Sequence, residues 1–383
     1  MTTPTADEIN RWIVRAALDG ADAPSILAGV CERLVAAGVP LVRAALAGDM
    51  LDPSFDSVGV RWKRGRGAAL EQFLRTPDAA LDDEWLRSPW HVLAEGPADR
   101  LRRRLGPSYV AGEFPVLDEF HRSGGTDYAA IIVRLGEGMW LGDTRGVLTS
   151  WLTDAPGGFD DAAIELVVAT LPPLATMFLW RSMQRSARAL MTTYLGTDAA
   201  ERVLAGNVVR GRAECIRAVV WYSDLVGFTR IADAHRSQVV LAMLNDYAEA
   251  QVETIEAQGG HVLKFIGDGL LAIFPDRDES NACERALDAA AEARRRLDAL
   301  NGKRRAAGLP VSDAHVALHI GELLYGNVGS PRRLDFTVLG AAVNEAARIE
   351  ALCGSLDQRV IVSSAFAQAA GDVARSRLVS LGR

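Results

Sequence analysis

The sequence predicts a two-domain α+β protein whose C-terminal half is a ferredoxin-like βαββαβ sheet. The length of 383 residues is more than one ordinary hydrophobic core accommodates. Before residue 181, short apolar runs between Gly- and Asp-rich turns mix with helical patterns, and from residue 215 strands and helices follow in the order β-α-β-β-α-β. With 49% hydrophobic and 24% charged residues, the composition is that of a globular chain.

Charge and cysteine content exclude several classes of protein. The formal net charge of −7 argues against a general nucleic-acid-binding protein. The chain has four widely spaced cysteines: Cys31, Cys215, Cys283 and Cys353. No C-x-x-C spacing occurs, so neither a zinc site nor a disulfide framework is predicted. We therefore expect a reduced, cytoplasmic location.

The N-terminal residues and the most apolar stretch argue against a membrane segment. The start, MTTPTADEINRW, has no basic region followed by an apolar run, so it does not resemble a secretory signal. Residues 162–180 are apolar but include Glu165 and the pair Pro172-Pro173, so we expect no membrane span there. We predict instead a buried helix that is broken or kinked at the two prolines.

Residues 1–180 are predicted to form a sensor or regulatory domain. Helical spacing of apolar residues predicts two helices within residues 7–38, and the runs LVRAALAG and YAAIIVRLG are typical of strands. The segment RGVLTSWLTDAPGGFDDAAIELVV predicts a strand, a Gly-Phe-Asp turn and a terminal helix, an order that resembles the tail of a GAF-type sensor domain. Seven of the eight tryptophans lie before residue 181, where core packing and a ligand cage are both open interpretations.

A helical linker with a break near Gly196 is predicted over residues 181–213, and the second domain over residues 214–383. Six runs in that domain are typical of strands: IRAVVWYSDL, HVLKFI, LLAIF, AHVALHIGELLYGNVG, DFTVLG and RVIVSS. Helices are predicted over residues 236–258, over residues 280–307 and in the segment AAVNEAARIEAL. This order predicts a sheet with its helices on one face.

Two aspartates stand at the ends of predicted strands in the second domain. Asp224 ends an apolar strand and precedes a Gly-containing turn into a helix, a place suited to a cation and to phosphate oxygens. Asp268 lies at the tip of the hairpin turn Gly267-Asp268-Gly269. Each alone has a plain interpretation, as a helix cap or a turn residue. Neighbouring strands could bring them together, and two close carboxylates repel unless a divalent cation joins them.

The segments YSDLVGFT, KFIGDGLLAIF and DFTVLGAAVNEAAR, in this order and spacing, resemble the catalytic domain of class III nucleotidyl cyclases. The resemblance covers nearly half of the chain. It implies that Asp224 and Asp268 bind divalent ions, Mg²⁺ or Mn²⁺, with two ions at each site. It also implies that the backbone amides of the turn at Gly227, Phe228 and Thr229 hold the β- and γ-phosphates of the nucleotide.

The same resemblance assigns further site residues. Lys264 and Thr337 take the purine-selecting positions, and a bacterial-type subclass has Thr at the second of these. Asn344 takes the position of the asparagine that orients the ribose, and Arg348 that of the arginine that stabilises the transition-state α-phosphate. The last two are four residues apart and so share one face of the predicted helix. Lys264 is one of only three lysines among 42 Lys and Arg residues.

The resemblance implies an adenylate cyclase, which converts ATP to 3′,5′-cyclic AMP and pyrophosphate. The ribose 3′-OH attacks the α-phosphate in line; one metal ion lowers the pKa of the 3′-OH and the second holds the triphosphate. Lys264 can donate to adenine N1, and the Thr337 hydroxyl can accept from the 6-amino group. The N1–H of guanine would face the lysine cation without an acceptor, which favours ATP over GTP.

Resemblance to the family also implies a homodimer, because metal residues and purine residues come from different subunits. The N-terminal domain is expected to respond to a small-molecule or protein regulator that the sequence does not identify. Since the sequence ends at LVSLGR, the cyclase domain is expected to lack its last one or two strands. Two alternatives stay open: a guanylate or mixed-specificity cyclase, and a catalytically degenerate nucleotide-binding signalling module.

Overall fold

The computed structural model divides into two compact units, Met1–Leu190 and Met191–Arg383. Each unit has its own six-stranded sheet and its own hydrophobic cores. The change from one unit to the other falls within the segment predicted as a helical linker. The structure describes residues 4–75, 83–136, 146–276 and 281–382.

The first unit is an antiparallel sheet with helices. Its strands are β1 (Leu41–Asp49), β2 (Phe55–Lys63), β3 (Gly67–Leu74), β4 (Arg100–Arg104), β5 (Asp127–Arg134) and β6 (Gly146–Thr153). Its helices are α1 (Ala6–Leu18), α2 (Ala23–Ala36), α3 (Asp83–Leu86), α4 (Pro89–Glu95), α5 (Pro115–Arg122) and α6 (Asp161–Leu195). The strands lie in the order β3-β2-β1-β6-β5-β4, and all neighbours are antiparallel. The strands predicted from LVRAALAG and YAAIIVRLG are confirmed as β1 and β5.

The two N-terminal helices begin where the sequence supplies caps. Thr5 and Glu8 form a reciprocal capping box at the start of α1. At the start of α2, the Asp22 carboxylate accepts a hydrogen bond from the backbone N–H of Ser25 at 2.8 Å. Pro24 follows in the first turn, where a helix needs no N–H donor. These signals confirm the two predicted helices.

Apolar residues cover both faces of the first sheet. One core, which includes Ile13 and Trp151, lies between the sheet and helices α1, α2 and α6. The other, which includes Phe120, packs α4 and α5 on the opposite face. The indole N–H of the fully buried Trp151 donates to the hydroxyl of Thr149 at 3.0 Å, which favours core packing for this tryptophan. Trp140 lies outside the described residues.

Helix α6 does not break at its prolines, so the predicted break is wrong, while the alternative of a kink there stays a prediction. The helix continues through Pro172 and Pro173. A proline at position 173 has no N–H for the carbonyl of Ala169, one turn earlier. The side-chain amide of Asn10 donates to that carbonyl instead, at 3.0 Å. The Asn10 amide in α1 thus replaces the N–H donor that Pro173 lacks, and α6 continues through the two prolines.

Among the described helices, α6 alone is long and apolar enough to cross a membrane by length and composition. Its most apolar window has a mean hydropathy of 1.8, and 44% of that window is buried inside the structure. The inward side contributes Val167, Leu171 and Leu174 to the core of the first unit. The expected absence of a membrane span stays a prediction.

The second unit is a mixed sheet with helices. Its strands are β7 (Ala213–Leu225), β8 (His261–Ile266), β9 (Gly269–Pro275), β10 (Ala314–Ser330), β11 (Arg333–Leu339) and β12 (Val360–Val362). Its helices are α7 (Thr197–Leu204), α8 (Phe228–Ala234), α9 (Ser237–Ala257), α10 (Ala282–Ala306), α11 (Ala341–Glu350), α12 (Cys353–Leu356), α13 (Ser364–Ala369) and α14 (Asp372–Arg375). Gly196, with φ 79°, separates α6 from α7, which confirms the predicted break.

The order β7-α9-β8-β9-α10-β10 confirms the predicted βαββαβ core. Its four strands lie side by side as β10-β7-β9-β8. Two further strands extend this sheet: β11 runs antiparallel to the second half of β10, and β12 runs parallel to the first part of β10. Among the described residues, β12 is the last strand.

Helices cover both faces of the second sheet, in contrast to the predicted single face. Alanines of α10 pack against Trp221 and Phe274 on one face. On the other face, α7, β11 and α11 contribute Ala199, Phe336 and Ala346 to a second core. The prediction failed because α7, β11 and α11 are additions to the βαββαβ core, and their helical or strand periodicity does not say which face they cover.

Candidate active site

Asp224 and Asp268 meet at one end of the second sheet. Asp224 lies near the end of β7, and Asp268 lies in the turn between β8 and β9. Since β7 pairs with β9, with Ser223 opposite Leu270, the turn is carried to the end of β7. The Asp268 carboxylate accepts a hydrogen bond from the backbone N–H of Leu225 at 3.2 Å, and the two carboxyl groups lie within hydrogen-bonding reach of each other. The structure therefore brings together the two residues predicted to hold metal ions.

Gly269 permits this close approach. A β-carbon at this position would lie 1.9 Å from the carbonyl oxygen of Ser223, far inside contact distance. Only glycine lets β9 run so close to β7, and the same approach carries Asp268 to Asp224. Gly267 has φ 60°, a left-handed conformation that glycine adopts without strain. The GDG turn thus has a structural reason for each of its glycines.

The environment of the pair suits a divalent cation. Burial, then the charge of Asp268 and a hydrogen bond with it, raise the pKa of Asp224 to about 6. Two such close carboxylates share a proton or bind a cation. Mg²⁺ is commonly held by one or two carboxylates together with substrate phosphates. Within the described residues, no group of three or more His, Cys, Asp or Glu side chains is placed to hold a metal ion.

A third carboxylate, Glu350, lies near the pair, and no sequence motif indicated it. Burial first, and then the charge of Asp268, raise the pKa of Glu350. Its Oε1 lies 3.7 Å from Nδ1 of His315, and His315 stands opposite Asp224 in the ladder between β10 and β7. In the sequence, Glu350 is one acidic residue among several near the end of a helix, which is too weak a signal to single it out.

Asp224→Asn is expected to stabilise the metal-free protein at neutral pH. Folding raises the pKa of Asp224 from 3.8 to about 6, so the folded state loses stability as pH rises through that interval, and the loss is complete above it. The neutral amide removes this penalty. Because Asp224 is partly exposed, solvent screening reduces the gain to about 1 kcal/mol, or about 2–4 °C in Tm.

Thermal unfolding in the presence of a chelator, at pH 7 and at pH 4, measures this gain. The gain should shrink at pH 4, because the Asp224 carboxyl group of the folded wild type is then already protonated and neutral, like the amide of the variant. A lower Tm for Asp224→Asn at pH 7 would contradict the expected sign.

The turn after β7 leads from Asp224 into α8. Gly227 has φ 67° and ψ 22°, again a left-handed conformation. Phe228 packs against a small hydrophobic cluster, while Thr229 is exposed. A guanidinium nitrogen of Arg230 lies 3.0 Å from the place that a β-carbon of Gly227 would occupy. The turn therefore carries a cation close to its glycine, and no sequence motif had indicated Arg230.

Lys264 is directed towards β11 by an irregularity in its own strand. The register between β8 and β9 shifts between Val262 and Lys264, a β-bulge of the kind that re-aims side chains. The Nζ atom of Lys264 lies 2.5 Å from Oδ2 of Asp335 in β11. Thr337 follows Asp335 by two residues, so their side chains share one face of that strand. Lys264 thus contacts the strand that carries Thr337, and Asp335 is a partner that the sequence motifs did not indicate.

Asn344 and Arg348 lie together on the exposed face of α11. The helix buries Ala342 and Ala346 against the sheet, and the two predicted site residues stand on the opposite side. The Arg348 side chain is 79% exposed, and its ion-pair partner is Glu345, at 3.5 Å. The predicted i, i+4 arrangement on one helix face is confirmed.

The structure does not bring Arg348 to the carboxylate pair within one chain. Glu350, two residues later, lies about 200° further round the helix and is close enough to Asp268 for the two charges to interact. Within the described part of the chain, no hydrogen bond or ion pair joins Arg348 to Asp224 or Asp268.

Comparison with known proteins shows which family the second unit resembles. The family described as "Adenylate and Guanylate cyclase catalytic domain" matches residues 212–375. Adenylate cyclase 1 of Rhizobium meliloti (strain 1021) is 29% identical over 201 residues, which are 51% of this chain and 30% of that protein. The adenylate cyclase of Anabaena cylindrica is 32% identical over 161 residues, which are 41% of this chain and 31% of that protein. The crystal structure of the guanylyl cyclase Cya2 has a TM-score of 0.38 and 29% identity, over 42% of this chain and 81% of that one.

The matched residues contain every predicted site residue, from Asp224 to Arg348. The regions aligned with the two curated relatives span less than a third of the length of either. Residues 212–375 of this chain are thus similar to the adenylate and guanylate cyclase catalytic domain family.

Proposed function

We propose that this chain is an adenylate cyclase that converts ATP to 3′,5′-cyclic AMP and pyrophosphate. The observation that carries the proposal is the pair of carboxylates, Asp224 and Asp268, at the end of the second sheet. The pair lies in a domain of the cyclase family, and both curated relatives above are named adenylate cyclases. Lys264 in β8, which the second copy of the chain would contribute to this site, supplies a donor suited to adenine N1.

The carboxylate pair and the following turn would hold the metal-bound triphosphate. Asp224 and Asp268 would bind Mg²⁺ or Mn²⁺, two ions per site. When bound, these ions would lower the pKa of the ribose 3′-OH and neutralise the charge of the leaving pyrophosphate. The backbone N–H groups of Gly227, Phe228 and Thr229 would donate to β- and γ-phosphate oxygens.

Two residues of α11 would complete the site. The exposed guanidinium of Arg348 can meet the negative charge that builds on the α-phosphate as the 3′-OH attacks. Asn344, one turn earlier on the same face, would orient the ribose by hydrogen bonding, so that the 3′-OH lies in line with the bond that breaks.

We further propose a homodimer with two sites. Asn344 and Arg348 are exposed, and among the described residues no hydrogen bond or ion pair joins Arg348 to the carboxylate pair of its own chain, so a second copy can present them to it. Since each chain carries both sets of residues, a two-fold dimer would form two equivalent sites. The second unit also exposes large apolar side chains of the kind that interfaces cover: Phe265, Ile266, Leu324, Leu339 and Leu352.

The purine site favours adenine over guanine. Lys264 can donate to adenine N1, and the Thr337 hydroxyl can accept from the 6-amino group. Thr337 is only 5% exposed, so most of the selection falls on Lys264. Because a hydroxyl can also donate, some use of GTP is expected as well.

Lys264→Glu is expected to weaken ATP use more than GTP use. A glutamate cannot donate to adenine N1 but can accept from the N1–H of guanine. We expect kcat/KM for ATP to fall by about tenfold to a hundredfold, and for GTP by less. Steady-state kinetics with both nucleotides measure this, with Lys63→Glu, an exposed lysine of the first unit, as the control. Equal losses for both nucleotides would contradict the assigned role.

Turnover by the purified chain tests the proposed activity directly. The protein is incubated with ATP or GTP and with Mg²⁺ or Mn²⁺, and the products are identified by chromatography. Cyclic AMP and pyrophosphate, formed faster from ATP than cyclic GMP is from GTP, are the expected products. A preference for GTP would establish the guanylate alternative. No cyclic product from either nucleotide, at concentrations where the protein is dimeric, would leave only a nucleotide-binding module.

The first unit is proposed to regulate the second as a GAF-like domain. Strand β6, the turn at Gly158 and helix α6 follow in the predicted order, and α6 continues past residue 190 to within two residues of α7. A ligand or protein that shifts α6 could move α7, whose Asp198 accepts a hydrogen bond from the Tyr325 hydroxyl at 2.9 Å. If the chain without residues 1–180 has the specific activity of the whole chain, the first unit does not regulate.

A cytoplasmic location, with no nucleic-acid partner and no membrane span, is also proposed. The four cysteines are free thiols and three of them are buried, which suits a reducing compartment. Fractionation of cells that express the chain tests the location, and recovery with the membrane pellet would contradict it.

A further inference from the structure

Lys264 and Asp335 form an ion pair between strands that lie at opposite ends of the sheet order. That order is β11-β10-β7-β9-β8, yet Nζ of Lys264 in β8 lies 2.5 Å from Oδ2 of Asp335 in β11. The two residues are 71 positions apart in the chain. Residues next to the pair also pack together, since Phe336 in β11 and Leu263 in β8 belong to one hydrophobic core. Among the described residues, neither charged group has another hydrogen bond or ion pair.

The pair lies where the proposed site would read the purine. The β-bulge before Lys264 turns its side chain towards β11. Asp335 shares its face of β11 with Thr337, so the ammonium is held on that side of the strand. The Lys264 and Asp335 side chains are 34% and 53% exposed, which leaves both within reach of a ligand.

We propose that Asp335 is a positioning residue that sets purine selectivity by holding the Lys264 ammonium in place. The inference rests on the proposed cyclase function. A lysine side chain has four rotatable bonds, and their freedom is lost when the ammonium binds a base. Asp335 takes one of the three N–H donors and leaves two for the purine. The nucleotide therefore meets a lysine that is already ordered, and this raises affinity without a new contact.

A fixed ammonium also discriminates more sharply than a mobile one. The N1–H of guanine meets a cation that cannot move away, and this donor stays unpaired. A lysine without its aspartate could turn into solvent and leave room for guanine. Loss of Asp335 is therefore expected to weaken ATP binding and to spare GTP binding.

The fold should tolerate this loss, because exposed ion pairs contribute little to the stability of a protein. Asp288 in α10 offers a matched control. It pairs with Arg377 at 2.6 Å, and its side chain is 53% exposed, the same value as for Asp335. Asp288→Ala removes an equivalent ion pair and should leave the KM values for ATP and GTP unchanged.

Steady-state kinetics of Asp335→Ala with ATP and GTP are the first test. The KM for ATP should rise about tenfold while kcat stays within about threefold, and the ATP/GTP ratio of kcat/KM should fall about tenfold. Asp335→Glu, which keeps the carboxylate, should have an ATP/GTP ratio of kcat/KM close to that of the wild type. Thermal unfolding should show an unchanged fold, and the isosteric Asp335→Asn replaces the alanine variant if that one is unstable.

An ATP analogue in which adenine N1 is replaced by C–H tests the route through Lys264. The wild type should use it with a KM about tenfold higher than for ATP, because the lysine has lost its acceptor. Asp335→Ala should show little further loss with this analogue. For the same reason, the effects of Lys264→Ala and Asp335→Ala on the KM for ATP should not add in the double variant.

An unchanged KM and an unchanged ATP/GTP ratio in a folded Asp335→Ala protein would overturn the inference. A lower KM for ATP would also overturn it, because it would mean that Asp335 competes with the nucleotide for Lys264. Calorimetric measurement of ATP and GTP binding distinguishes failure of the inference about Asp335 from failure of the proposed cyclase activity. A chain that binds nucleotide without turnover refutes the cyclase activity, yet the Kd of Asp335→Ala still tests Asp335. If neither nucleotide binds, both proposals fail.

Discussion

Asp224→Ala or Asp268→Ala is expected to lower the rate of cyclic AMP formation by about a thousandfold or more. The two carboxylates are proposed to hold both divalent ions, and the remaining single carboxylate offers too few oxygens to keep them with the triphosphate. The loss should appear in kcat, since the 3′-OH and the leaving group are then not activated. The folded state should survive, because removing one of two repelling carboxylates relieves the unfavourable charge that raises the pKa of Asp224.

Initial rates with Mg²⁺ and with Mn²⁺ measure this loss, and calorimetric titration with Mn²⁺ in the presence of nucleotide measures the bound ion directly. Asp233→Ala, an exposed aspartate of α8 in the same unit, is the matched control and should keep the wild-type rate. If either variant at Asp224 or Asp268 retained more than about a tenth of the wild-type kcat, the pair would not be the metal site.

Arg348→Ala is expected to reduce kcat by about a hundredfold to a thousandfold with little change in KM for ATP. Its guanidinium is proposed to act on charge that develops only in the transition state, so ground-state binding should be nearly unaffected. The side chain is 79% exposed in the single chain, so its loss should not disturb the fold. A parallel rise in KM would instead indicate that Arg348 binds the ATP ground state.

Co-expression of Asp224→Ala with Arg348→Ala should restore activity that neither variant has alone. In a mixed dimer, one site receives both defects and the other receives none. Half of randomly formed dimers are mixed and each has one intact site of two, so about a quarter of the wild-type activity is expected. Co-expression of Asp224→Ala with Asp268→Ala is the control and should restore nothing, since every site then lacks a metal residue. No recovery in the first mixture would contradict sites shared between subunits.

Local sequence was sufficient for the order of most elements. Apolar runs predicted strands β1 and β5, and the capping residues at the starts of α1 and α2 act within a single turn. The prolines of α6 misled because their effect depends on whether another donor reaches the carbonyl that they leave unpaired. Asn10 supplies that donor to Ala169, which lies 159 positions later in the chain. A pattern read over a few residues does not contain this contact.

In the candidate active site, too, some features follow from local sequence and others depend on distant contacts. Spacing alone placed Asn344 and Arg348 on one helix face, because helix geometry relates residues i and i+4 wherever the helix lies. By contrast, Glu350 and Asp335 carry no local signal, since acidic residues at a helix end or in an edge strand are common. Their importance depends on which charged groups the fold brings to them.

The sequence by itself determined the residue types available at the strand and helix ends, which is enough to indicate the family and the chemistry. Only the tertiary structure decided which of them meet. Pairing of β7 with β9 brings Asp268 to Asp224, and the packing of β11 and β8 in one core brings Asp335 to Lys264. The physical reason is that strand pairing and core packing sum many weak contacts between distant segments, and no single stretch of the chain records their outcome.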